Sequence, residues 1–244
     1  MSRILYSWFL RLTWSTKIYV FSDSHGKVFD HLNKKLGMRK FKTVVVEGAT
    51  AMGMVNPNSK TDALGTYRKS LIRLPKSSEL LFLLGEVDTG FIIWYRAQVK
   101  SLTVTDQFEY SLTCYSRFIK ELVDEGFHNI TIMSAPLPTI GDNQTWGNVA
   151  NLRKEVKATQ LERTDLTLNY NKRLKEMCEA LNLRFLDLDS ELLGSGQLVN
   201  KALMNKNKSD HHLDNDAYSR IVFRSMYAGK KKDRMVKALW AGFD

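Results

Sequence analysis

KIYVFSDSHG, residues 17–26, decides how the rest of the chain reads. Residues 17–22 form a short β-branched and aromatic run, and Asp23 ends it. Residues 28–36 then carry a helical pattern. The same alternation continues downstream. Residues 42–46 (KTVVV) read as a second strand, 80–84 (LLFLL) as a third, 129–134 (NITIMS) as a fourth and 184–188 (RFLDL) as a fifth. Between and after them, residues 61–74, 89–100, 106–125, 164–181 and 216–227 read as helices, with Ser59 or Thr61 as a cap for the first of these. Two segments fit neither pattern. Residues 48–59 form a loop rich in glycine and asparagine, and 137–151 form an irregular stretch with Pro138, Gly141, Trp146 and Gly147. The second is longer than a simple connector and reads as a functional loop.

Continuous apolar strands alternating with helices imply an α/β fold with a mostly parallel five-stranded sheet covered on both faces. Ligands of such sheets sit outside the carboxyl ends of the strands. The residues that follow each strand therefore matter most: Asp23-Ser24-His25, Glu47-Gly48, Gly85-Glu86-Val87-Asp88 and Ala135-Pro136.

Composition sets the outer limits. The 244 residues suit one α/β domain, read here as 17–228 between an N-terminal arm, 1–16, and a basic C-terminal tail, 229–244. With 43% apolar and 25% charged residues, the chain is expected to fold rather than remain disordered. The apolar run at 4–10 is too short for a transmembrane segment and lacks a cleavage site after it. Cys114 and Cys178 lie in no metal-ligand spacing, so no metal is expected. Low cysteine use suits a reducing, cytoplasmic setting. The formal charge of +10 is partly local, with Lys230, Lys231, Lys232, Arg234 and Lys237 near the end. That tail is either a solvated surface or a patch for an anionic partner; no specific nucleic-acid module accompanies it.

A serine after the first strand has two readings. It can belong to a helix cap, or it can be a nucleophile served by backbone N–H groups. A nucleophilic hydroxyl needs a base, and histidine fits that role at neutral pH. Of the five histidines, His211 and His212 lie in SDHHLDNDAY, residues 209–218, just before the last helix. Asp210 stands two residues before His212, placed to orient its ring.

Residues 21–26 resemble the first block of SGNH/GDSL hydrolases, usually Gly-Asp-Ser, with Ser22 in the place of the glycine. Residues 210–218 resemble the last block. There the usual spacing is Asp-x-x-His, whereas here Ser209 holds that position and Asp210 follows it. The resemblance covers about residues 17–227. It implies a three-layer α/β/α sandwich of the flavodoxin-like SGNH type, with Ser24, His212 and Asp210 as catalytic residues and no cofactor. The oxyanion would be held by N–H groups of Ser24 and of Gly48 or Gly53, with Gly85 from the third block. That block usually reads Gly-x-Asn-Asp. Gly85 and Asp88 match it, but Val87 replaces the asparagine. Loss of one such donor typically costs about 2.7–4 kcal/mol in the transition state. Asn56 and Asn58 are candidate substitutes.

The activity implied is serine-dependent hydrolysis of a small ester. Trp146, with Asn143 and Gln144 beside it, suits a sugar ring and points to an O-acylated, chiefly O-acetylated, glycan; its other reading is packing of the loop. Asp23, Glu86, Asp88 and Asn56 complete the expected substrate-binding set. Two other functions remain open from sequence. One is acyl transfer from the same site; the other is a binding or structural protein that kept the fold and works through its basic surface.

Overall fold

The computed structural model describes residues 16–37, 39–142 and 156–228. Trp146 with its neighbours, nearly all of the N-terminal arm and the basic tail lie outside the described residues. The sheet has five strands: β1 (Ile18–Ser22), β2 (Phe41–Val45), β3 (Glu79–Leu83), β4 (Ile130–Met133) and β5 (Arg184–Leu186). Their order is β2-β1-β3-β4-β5, and every pair is parallel. The expected five-stranded sheet is therefore present, with its last strand shorter than residues 184–188.

The helices are α1 (Lys27–Leu36), α2 (Ala63–Leu71), α3 (Ile93–Lys100), α4 (Val104–Asp124), α5 (Gln160–Ala180), the short α6 (Asp189–Leu192) and α7 (Asn215–Tyr227). Alternation along the central strands decides which helices cover which face. Val20, Leu81 and Leu83 pack with Phe29 and Leu32 of α1 and with Val222 and Phe223 of α7. Phe21, Leu80 and Phe82 point the other way, onto Tyr67 of α2, Tyr115 and Phe118 of α4 and Leu174 of α5. Phe21 and Phe82 stack with ring centroids 5.1 Å apart. Fully burying side chains of this size stabilises by about 1.5–3 kcal/mol each. The result is the three-layer α/β/α arrangement.

Helix starts depart from the sequence expectation for a local reason. Helices α4 and α5 begin at Val104 and Gln160, not at 106 and 164. Thr103 and Thr159 cap them, each exchanging hydrogen bonds with the acid three residues on, Asp106 and Glu162. The capping boxes draw polar first turns into helices whose apolar periodicity starts later. Residues 89–100 are likewise not one α-helix: Asp88–Ile92 form a wider π turn before α3.

From β1 the chain runs outward to β2 and then returns to form β3 on the other side of β1. That reversal opens a crevice at the carboxyl ends of β1 and β3, the usual ligand position in such sheets. Ser22 pairs with Leu83 at the ends of these strands. The segments leaving that pair carry Ser24 and Glu86.

Cys114 and Cys178 are both buried and form no disulfide. Among the described residues no helix is long and apolar enough to cross a membrane.

Candidate active site

Ser24 opens a single 3-10 turn, Ser24–Gly26, directly after β1. Asp23 caps this turn by accepting from the His25 N–H at 2.8 Å. The turn is tight enough to require Gly26. A Cβ there would lie 1.7 Å from Ser22 Oγ and 2.6 Å from Ser22 Cβ. Ser22 Oγ is itself buried with no hydrogen-bond partner among the described residues. Gly26→Ala is therefore expected to lower stability by about 1–3 kcal/mol through overpacking. A Ser22→Gly background should recover most of that loss. Urea unfolding of the two single variants and the double variant measures the coupling; additive effects would refute this account of the turn.

From the far end of the chain, the loop before α7 brings His212 to Ser24. Ring nitrogen Nε2 lies 2.8 Å from Ser24 Oγ, across 188 positions of sequence. Nitrogen Nδ1 lies 2.6 Å from Asp210 Oδ1, and the His212 backbone N–H donates to the same oxygen at 2.9 Å. Asn205 Nδ2 donates to the other carboxylate oxygen, Asp210 Oδ2, at 3.0 Å. Asp210 thus reaches the ring through a turn two residues long. Ser209, one residue before Asp210, is exposed and donates to Asn207 Oδ1 at 2.7 Å. An isolated asparagine in a polar loop, such as Asn205, carries no sequence signal of such a role.

Burial pushes the His212 pKa below its usual value, and the charge of His25 acts the same way. Asp210 and Glu86 oppose the shift without cancelling it. Burial raises the pKa of Asp210, but its hydrogen bonds from His212 and the positive charges of His212 and His211 outweigh this, leaving a net lowering. At neutral pH the imidazole is neutral and Asp210 is ionised. The contact between Nδ1 and Asp210 then favours the tautomer with Nδ1–H, leaving Nε2 as the acceptor of the serine proton.

The other expected site residues divide. Asp23 is buried, and its Oδ1 also faces His25 Nδ1 at 3.0 Å, so its visible work is to hold the turn and the His25 ring. Glu86 is buried and near enough to His212 to favour the protonated ring. Asp88 is fully buried. It accepts from the N–H groups of Ala51 and Met52 at 2.7 and 3.1 Å and from Ser111 Oγ at 2.9 Å. These contacts anchor the loop after β2. Asn56 is exposed, and its Oδ1 accepts from Asn58 N–H within the same loop.

The two glycines left open by the sequence differ in their surroundings. The Gly53 N–H is directed at Thr50, 2.9 Å from Oγ1 and 3.1 Å from the carbonyl oxygen. Gly48 is exposed after β2 with φ 71°, a conformation that favours glycine. Gly85, at φ 124°, packs close to Tyr170 and Ala135. Its carbonyl accepts from both the backbone N–H and the hydroxyl of Thr89.

A cavity of about 350 Å³ opens beside the serine, lined in part by Ser24, Asn207, Ser209, His212 and Tyr218. That lies at the lower end of the usual range for small-molecule sites.

No protein-family model matches the chain, and no curated protein matches it in sequence. Solved structures do. A GDSL-like lipase from Bacteroides thetaiotaomicron superposes with a TM-score of 0.56 at 11% identity, covering 97% of this chain and 98% of the other. An acylhydrolase-type protein from Bacteroides fragilis gives 0.54 at 12%, covering 94% and 88%. A mutant of Axe2, an acetyl-xylooligosaccharide esterase from Geobacillus, gives 0.50 at 13%, covering 86% and 94%. The chain is an α/β/α protein whose sheet has the 2-1-3-4-5 order. More narrowly, its fold is that of the SGNH/GDSL hydrolases.

Proposed function

We propose that this protein is a serine esterase that cleaves small acyl groups, chiefly acetyl, from hydroxyls of a carbohydrate. The observation that carries the reading is the line Asp210–His212–Ser24, with gaps of 2.6 and 2.8 Å. Ser24 Oγ attacks the ester carbonyl as His212 Nε2 takes its proton. Asp210 steadies the imidazolium that forms, and Glu86 adds to that field. His212 then hands the proton to the leaving alkoxide oxygen. In the second half, water attacks the acyl-enzyme and loses a proton to His212, which returns it to Ser24 Oγ.

The oxyanion is assigned to the N–H groups of Ser24 and Gly48, since the Gly53 N–H serves Thr50. Val87 offers no side-chain donor, which predicts a slower enzyme than one with asparagine at that position. The choice of substrate rests on two supports. The cavity is small, with hydrogen-bonding groups such as Asn207, Ser209 and Asn215 on its lining beside apolar surface, and one protein of the same fold is an acetyl-xylooligosaccharide esterase. A reducing compartment such as the cytoplasm suits the two unbridged thiols.

Steady hydrolysis of p-nitrophenyl acetate, together with covalent labelling of Ser24 by a fluorophosphonate, tests the reading. Absence of both rejects it. Stalling at the acyl-enzyme until a sugar is added would reassign the protein to acyl transfer.

The pH profile follows from the lowered pKa of His212. The base must be neutral, so kcat/KM should rise with pH, pass its midpoint below 6.5 and be flat from about pH 7 to 8. Asp210→Asn removes a charge that favours the imidazolium, so it should move that midpoint further down while slowing the reaction. A midpoint that rises in Asp210→Asn would contradict the assignment.

A further inference from the structure

His212 belongs to a group of three histidines. Its ring lies 4.1 Å from that of His211 and 4.8 Å from that of His25, measured between centroids. Each of the three offers a ring nitrogen, and these nitrogens lie within 4.8 Å of one another. We propose that His25, His211 and His212 form a binding site for a zinc-class divalent ion, and that the ion shuts the esterase by drawing His212 away from Ser24. The inhibitory half rests on the serine-esterase reading; the binding half does not.

Imidazole nitrogens suit zinc, copper and nickel ions. Around a tetrahedral zinc, with Zn–N bonds of about 2.0–2.1 Å, ligand nitrogens sit about 3.4 Å apart. The cluster therefore needs a contraction of at most roughly 1.4 Å between its widest pair to meet that geometry. His211 and His212 are half-buried, and both line the cavity beside Ser24 together with His25.

Two carboxylates strengthen the argument. Asp23 Oδ1 faces His25 Nδ1 at 3.0 Å, and Asp210 Oδ1 faces His212 Nδ1 at 2.6 Å. A carboxylate on one imidazole nitrogen orients the ring and raises the basicity of the other, which is the usual outer support of a metal-bound histidine. The two acids also offset the charge of the ion. Three neutral imidazoles leave a fourth position for water or a small anion.

Occupancy and catalysis compete for one atom. His212 Nδ1 is committed to Asp210, so Nε2 is the nitrogen that must serve either Ser24 or the metal. A metal-bound Nε2 cannot accept the serine proton. Binding displaces water from the ion and a proton from any charged imidazole, with no change of redox state.

The test titrates ZnCl2 into the full chain by calorimetry and, in parallel, follows the rate of fluorophosphonate labelling. We expect one zinc per chain, labelling that slows in step with occupancy, and full recovery on adding EDTA. In His211→Gln, zinc affinity should fall by more than the roughly 10–100-fold that loss of an outer-shell partner costs. That variant should also lose the zinc sensitivity of its labelling. His25→Gln provides a second, independent ligand deletion. Zinc binding equal in wild type and both variants, or no binding at all, overturns the site. Histidine-dependent binding with labelling unchanged overturns the inhibition. If the zinc-free wild type fails to label, the esterase reading falls while calorimetry still decides the metal site.

Discussion

Ser24→Ala is expected to lower kcat/KM on p-nitrophenyl acetate by about 10⁴–10⁶-fold and to end fluorophosphonate labelling, with little change in stability. The size follows from what is lost. Without the hydroxyl there is no acyl-enzyme, and only binding and the oxyanion donors remain to assist direct attack by water. The fold should tolerate the change because Ser24 is half-buried and its side chain bonds to His212 in an open crevice. Deleting one hydrogen bond of that kind costs about 0.5–1.5 kcal/mol. His212→Ala should do comparable damage to the rate, and the double variant should be scarcely worse than either single one. Residues that act as a unit are not additive in this way. Additive losses would mean that the 2.8 Å contact is not the working pair. Full hydrolysis by Ser24→Ala would place the chemistry elsewhere.

The sequence carried these residues because strand-end positions in a parallel sheet are where chemistry gathers. KIYVFS needed only its β-branched and aromatic pattern to be read as a strand, and Ser24 followed from its end. His212 was legible from a doubled histidine beside Asp210, although 188 positions separate it from Ser24. What stayed hidden was the use of polar groups inside the fold. Asp88 looked like a substrate ligand because it is acidic and follows β3. Only the path of the loop after β2 shows two backbone N–H groups aimed at it. Glu86 shares that ambiguity, since burial next to an imidazole is a property of packing rather than of pattern. Nor does the pattern around Gly48 and Gly53 carry any sign that the Gly53 N–H meets Thr50. His25 reads as an isolated histidine in sequence because His211 and His212, which the fold brings beside it, lie at the other end of the chain.

The buried carboxylate of Asp88 leads to the second large expected effect, on stability. Asp88→Ala leaves the N–H groups of Ala51 and Met52 and the hydroxyl of Ser111 without their shared acceptor. Ser111 retains its 2.8 Å contact with Tyr170, but the two backbone donors are expected to lose their partner. Each buried donor left unpaired costs about 1–3 kcal/mol, so a loss of about 3 kcal/mol at pH 7 is expected. The cost should depend on pH, and its sign is fixed. Burial raises the Asp88 pKa from 3.8 to about 6, against the hydrogen bonds that lower it. The native state therefore binds this proton where the unfolded chain has already released it. Asp88's contribution is fully present below about pH 4 and declines as pH rises to about 6, by up to about 3 kcal/mol. Asp189 is raised in the same direction, to about 7, but it is present in both proteins and cancels in the comparison. Urea unfolding of wild type and Asp88→Ala at pH 4.5 and 7 should thus give a larger difference at the lower pH. The loop held by Asp88 includes Ala51 and Met52, a few residues after Gly48, so under the proposed function the folded fraction of the variant should also hydrolyse p-nitrophenyl acetate more slowly. Equal stability differences at the two pH values would show that Asp88 is ionised in the native state throughout. An unchanged rate would mean that Gly48 keeps its place without this anchor, or that it is not the proposed oxyanion donor.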